Sequence, residues 1–212
     1  NVDSSFFIFI FFSTLFTYNF QRLTRFKYKE YSSKNVIWNK SNYNISKIIC
    51  LISFLISFVF IFSLNQTSLY ILIPLFIVSF LYPLKLFSKL SLREIPFLKI
   101  FLISIVWTLT TTLIVVIESN SSLSFKLMPL LLDRFLFVLA ITIPFDIRDL
   151  KLDKSDIQTI PMVFGVNGAK NIAFVCLFLS AILVFSQYYF LDIDYRFLYS
   201  YFFTCSLSAL LV

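Results

Sequence analysis

Apolar side chains run along this chain in seven long stretches, roughly 5–20, 46–64, 68–87, 96–117, 127–145, 171–190 and 197–212, with short polar connections between them. The stretches do not alternate with the period of two that a half-buried strand needs, and they are longer than the spans of about ten residues found in a membrane β-barrel. A helix rises about 1.5 Å per residue, so each middle stretch is long enough to cross a hydrocarbon core about 30 Å thick. The pattern predicts an all-α, polytopic transmembrane helix bundle of a single domain, because in lipid each helix satisfies its own backbone polar groups. The first and last stretches are the short ones. The chain opens at Asn1 and stops inside an apolar run at Val212, so both ends are expected to continue beyond this sequence.

Composition narrows the chemistry. The chain is 59% hydrophobic, 20% aromatic and 14% charged, with a mean hydropathy of +0.88, whereas a soluble domain is about a quarter charged. It contains no histidine, which excludes Ser-His and Cys-His nucleophile pairs and histidine metal sites. Its two glycines form no Walker or dinucleotide-binding loop. Cys50, Cys176 and Cys205 stand singly in apolar runs, as core thiols do.

The net charge of +7 is read from its distribution. Arg22, Arg25, Lys27, Lys29, Lys34 and Lys40 follow the first stretch; Lys85, Lys89, Arg93 and Lys99 follow the third; Arg148, Lys151, Lys154 and Lys170 follow the fifth. The connections between these are nearly free of basic residues. Every second loop is thus expected on the cytoplasmic side, with Asn1 opposite, in a membrane of bacterial cytoplasmic type. The charge is an orientation signal, not a nucleic-acid footprint. No internal repeat is visible, which weighs against an inverted-repeat transporter.

One connection is unlike the rest. "PFDIRDLKLDKSDIQTIP", 144–161, gathers Asp146, Asp149, Asp153 and Asp156 among Arg148, Lys151 and Lys154. Asp146, Asp149 and Asp153 are spaced i, i+3, i+7 and would share one stripe of a helix that continues the fifth stretch. Carboxylates so placed repel one another unless a cation lies between them, and an oxygen-only donor set suits Mg²⁺ shared with a phosphate. Alternatively, the acids pair with Arg148, Lys151 and Lys154 on a solvated loop. Asp133 and Arg134 lie within the fifth stretch, about 9 Å from its outer end by helical rise. Neighbours in sequence point in different directions, so the two need not pair, and Arg134 is expected in a structural role.

The segment 145–165 resembles the second aspartate-rich motif of the UbiA superfamily of intramembrane prenyltransferases, through Asp146, Arg148-Asp149, Asp153-Lys154, Thr159, Pro161 and Gly165. "LYPLK", with Tyr82, Pro83 and Lys85, and the later Trp107 resemble further stretches of that family in the right order. The resemblance implies a bundle of about nine helices, of which this chain would hold the second to the eighth, around a cavity open to the cytoplasm. It implies Mg²⁺-dependent transfer of a prenyl group from an isoprenoid diphosphate to an aromatic or other lipophilic acceptor, as in quinone, haem and lipid biosynthesis. Asp149 and Asp153 would be the catalytic carboxylates, with Asp146 as a third metal ligand. Asn19, Arg22, Lys85, Arg148 and Lys154 would contact the diphosphate.

The family's first motif is degenerate here. Asn19 matches its asparagine, but Phe20, Leu23 and Lys27 stand where its aspartates belong. Arg22 and Arg25 beside them either hold the diphosphate directly or serve as orientation charges; loss of catalysis is the third possibility. The competing classes are a non-catalytic member that binds a lipid diphosphate and a small secondary transporter.

Overall fold

The computed structural model describes residues 3–27, 42–85, 91–92, 95–121, 124–150, 158–190 and 194–211. Among these the chain is helical: α1 (Ser4–Lys27), α2 (Tyr43–Phe60), α3 (Gln66–Leu81), α4 (Leu98–Glu118), α5 (Met128–Asp149), α6 (Ile160–Phe190) and α7 (Tyr195–Leu211). The expected apolar stretches and the helices begin within three residues of one another, with one exception. Helix α6 starts at Ile160 rather than at 171, and breaks its helical geometry at Gly165 (φ 70°, ψ 170°) before running on. Only glycine adopts those angles without strain, so Gly165 is a true break that parts a short helical segment, 160–164, from the long one that follows and carries "VNGAK".

Three helical spans are long and apolar enough to cross a membrane: Tyr43–Ser63, Leu98–Glu118 and Ile160–Tyr189. The burial pattern of α2 is the one a lipid environment would favour. On α2 the buried side chains are Ser46, Ser53 and Ser57, while Leu51, Leu55, Phe58 and Val59 are exposed. In water this arrangement would place the apolar face on the wrong side. In lipid there is no hydrophobic gain from burying leucine, and small residues win the interface by letting backbones approach. Two of these serine hydroxyls are paired on their own helix: Ser53 Oγ donates to Ile49 O at 2.6 Å and Ser57 Oγ to Phe54 O at 2.9 Å.

The described residues form two compact units. The first contains α1, α2, α3 and the last turn of α4 from Ile114. There α2 packs chiefly on α1, and aromatic pairs join α1 to α3, with Phe20 and Phe80 stacked at 4.6 Å and Phe16 and Phe76 at 6.3 Å. The N-terminus of α3 is capped twice: Asn65 Oδ1 accepts from Thr67 N, and Glu118 Oε1 accepts from Asn65 N at 2.9 Å. These are two of the donors a helix start leaves unpaired.

The second unit contains α4 up to Leu113, then α5, α6 and α7. Here α5 and α6 make the main contact. Helix α6 presents Ala169, Ala173, Cys176, Ser180 and Val184, all buried, at spacings of three and four. This narrow stripe of small side chains admits Ala140 and Ile143 of α5, both fully buried. Pro144 sits inside α5 without ending it, and the helix continues to Asp149. In α4 the turn Leu109–Leu113 is π-helical, an inserted residue of the kind that recurs at functional sites.

Candidate functional site

The second unit brings three separate parts of the chain together at the C-terminal end of α5. The first part is the entry to α4. Phe97 precedes that helix in the left-handed region (φ 59°, ψ −21°), an uncommon conformation for a bulky residue and one that its surroundings must hold. Its side chain packs against the buried core, and its N–H donates to Gln158 O at 3.1 Å. The second part is α5 itself, where Asp146 lies one turn beyond the fully buried Ile143. The third is the start of α6, at Gln158 and Thr159.

Asp146 is 3% exposed and its Oδ1 accepts from Lys99 Nζ at 2.5 Å; Lys99 is itself only 16% exposed. Burying both charges is costly, and the pair offsets that cost only because geometry is close. One turn later the environment changes. Asp149 is 21% exposed and pairs with Arg148, which is 68% exposed, at 2.9 Å. That hydrogen bond, together with the carboxylate charge, raises the proton affinity of the Arg148 guanidinium above its ordinary value. The guanidinium also lies over the Phe145 ring, 5.2 Å from its centre. Thr159 is buried, and its Oγ1 has no hydrogen-bond partner among the described residues.

The expected site residues fall into three groups. Asp146, Arg148 and Asp149 lie together at the end of α5, where the helical stripe ends as well, since α5 stops at Asp149. Asp153 and Lys154 lie outside the described residues. Asn19, Arg22 and Lys85 belong to the first unit. Asn19 is buried and its Nδ2 donates to Leu15 O, one turn back on its own helix, at 2.8 Å. Arg22 is half-buried on the same helix, and Lys85 forms an isolated antiparallel bridge with Ser91. The first unit also has a shallow aromatic groove lined by Phe16, Thr17, Phe20, Phe76, Ser79 and Phe80, with no enclosed room for a ligand.

Among the described residues no three His, Cys, Asp or Glu side chains are grouped to hold a metal. The two described carboxylates at this helix end are each paired with a base, Asp146 with Lys99 and Asp149 with Arg148, and Asp149 is the one partly open to solvent. The residue that sequence reasoning passed over is Lys99, counted only as an orientation charge. The available signal was its position within the apolar stretch 96–117, where a lysine needs a counter-ion.

Asp133 and Arg134 also find their places in the second unit. Asp133 is fully buried and accepts from Gln187 Nε2 at 2.7 Å. The Arg134 guanidinium lies over the rings of Phe197 and Tyr201 and also forms an ion pair with its neighbour, Nε to Asp133 Oδ1 at 3.6 Å, so the two adjacent residues do meet. No protein-family model, curated protein or solved structure matches the chain.

Proposed function

We propose that this is a membrane prenyltransferase of the UbiA type, moving a prenyl group from an isoprenoid diphosphate to a lipophilic acceptor. The observation that supports it best is the burial of Asp146 against Lys99 at the end of α5, with the Arg148–Asp149 pair beside it. Acid and base are concentrated within the segment whose residues resemble the family motif, and part of that charge is kept from bulk water. Asp149 and Asp153 would hold Mg²⁺, which when bound neutralises the charge developing on a diphosphate leaving group. Arg148 and Lys154 supply donors for the outer phosphate oxygens. The Lys99 ammonium fixes the Asp146 carboxylate, so the stripe keeps its shape as charges come and go. Apolar side chains then exclude water from the allylic cation that C–O ionisation leaves.

A second reading, the secondary transporter, is favoured by one observation: Asp133, Ser180, Gln187 and Tyr201 are buried polar groups drawn from three helices. Purified full-length protein with radiolabelled farnesyl, geranylgeranyl or longer diphosphates and candidate acceptors, with and without Mg²⁺, separates the readings. Transfer that depends on Mg²⁺ and falls at least 100-fold in Asp149→Ala and Asp153→Ala supports the enzyme. Turnover indifferent to both substitutions sinks the mechanism. Diphosphate binding without turnover assigns a non-catalytic member.

A further inference from the structure

The second unit encloses another polar cluster, on the opposite end of α5 from the motif. Asp133 precedes Asp146 by thirteen residues, about 20 Å by helical rise. It is 0% exposed, as are Gln187 and Ser180, and Tyr201 is buried beside them.

Gln187 Nε2 donates to Asp133 Oδ2 at 2.7 Å and to Pro129 O at 3.1 Å, which uses both amide protons. Ser180 Oγ donates its single proton to the backbone carbonyl of Asp133 at 3.1 Å. Ser180 must therefore accept from Tyr201 Oη, 2.5 Å away, which uses the phenol proton too. Arg134 Nε stands 3.6 Å from Asp133 Oδ1, beyond hydrogen-bond length, with its guanidinium over the Tyr201 and Phe197 rings. Cys205 on α7 is a buried thiol of the same core. On the part of α4 in this unit the charged residue is Lys99, which is paired with Asp146. Two buried acceptors are left with no donor: Asp133 Oδ1 and Gln187 Oε1.

Two orphaned oxygens on partners already joined by one hydrogen bond lack a single thing. We propose that Asp133 and Gln187 form a proton-binding site buried in the helix bundle. One proton, taken from water onto Asp133 Oδ1 and donated to Gln187 Oε1, closes a carboxyl–amide ring whose other half is the existing Nε2–Oδ2 bond. Release returns that proton to water and leaves a bare amide oxygen and a carboxylate faced by Arg134 at 3.6 Å, in a place without solvent. A metal ion fits poorly, since Ca²⁺ and Mg²⁺ take six or more oxygens and two are orphaned here. Because the ring joins α5 to α6, and Tyr201 ties α7 to the same turn through Ser180, proton occupancy is coupled to the packing of all three helices.

The test uses the full chain in lipid nanodiscs. Infrared spectra recorded over a pH series are expected to hold a carboxylic-acid C=O band that persists above the pH at which exposed carboxyls ionise, shifts in D₂O, and is absent from Asp133→Asn. That variant carries an amide where the acid carries O–H, so it can close the ring without a proton. It should keep the acid-side melting temperature of the wild type and lose the fall in melting temperature on the alkaline side. Gln187→Leu removes the acceptor and should move the band to higher frequency, which keeps the test open if Asp133→Asn fails to fold. Absence of any such band, or a band that Gln187→Leu leaves unmoved, overturns the proposal. So does a melting temperature that rises with added sodium at fixed pH and ionic strength, which would assign a metal cation instead.

Discussion

Replacing Asp146 by alanine tests whether this carboxylate belongs first to Lys99 or to a metal. The pair is close, at 2.5 Å, and both partners are largely buried. At an effective dielectric of about 20, two unit charges at that separation attract by about 7 kcal/mol, most of which offsets desolvation. Removing one partner of a buried pair costs about 3–5 kcal/mol because the other charge is left stranded. Lys99 keeps some contact with solvent at 16% exposure, so the lower end of that range applies, about 3 kcal/mol. The measurement is reversible unfolding in mixed micelles without divalent metal, on wild type, Asp146→Ala, Lys99→Met and the double variant Asp146→Leu/Lys99→Met. Each single variant should lose about 3 kcal/mol, and the double variant should return to within about 1 kcal/mol of wild type, since an apolar pair of similar volume replaces a buried ion pair at little cost. If Asp146→Ala unfolds within about 0.5 kcal/mol of wild type, or if the two single losses add in the double variant, the pair does not hold the α4 entry to α5.

Gly165→Ala should destabilise the protein by about 1–3 kcal/mol in thermal unfolding, purely through backbone strain, because a Cβ at that position would meet no atom within 4 Å. A wild-type melting temperature in Gly165→Ala would show that the kink is not held. Asn65→Ala removes the side-chain cap of α3 and should cost about 1 kcal/mol. Glu118→Ala leaves the Asn65 N–H without its carboxylate and should cost about 1–2 kcal/mol, and the same unfolding assay checks both. Tyr201→Phe takes away the donor to Ser180 and should cost about 1 kcal/mol with the infrared band of Asp133 retained; loss of that band would place the phenol proton in the ring.

The seven helices of the described residues were legible in the sequence because an apolar stretch of about twenty residues, placed in lipid, has few other ways to satisfy its backbone. Asp146 and Asp149 could likewise be placed at one helix end from spacing alone, since a helix fixes the direction of side chains three residues apart. The start of α6 was not legible. Glycine and polar residues at 165–170 mark a break locally, and the structure does break at Gly165; it took the packing of Ala169 and Ala173 into the buried core, on a helix whose main contact is α5, to keep 166–170 helical.

The partners of the buried charges were beyond sequence reading for a different reason. Lys99 and Asp146 are 47 residues apart and Asp133 and Gln187 are 54 apart, and no local periodicity relates residues on different helices. Composition determined that this chain is built of apolar helices and where its charges gather along them. Tertiary structure alone decided which charge meets which, because in a bundle a buried polar group is satisfied by whatever neighbouring helix the packing of small residues brings within about 3 Å.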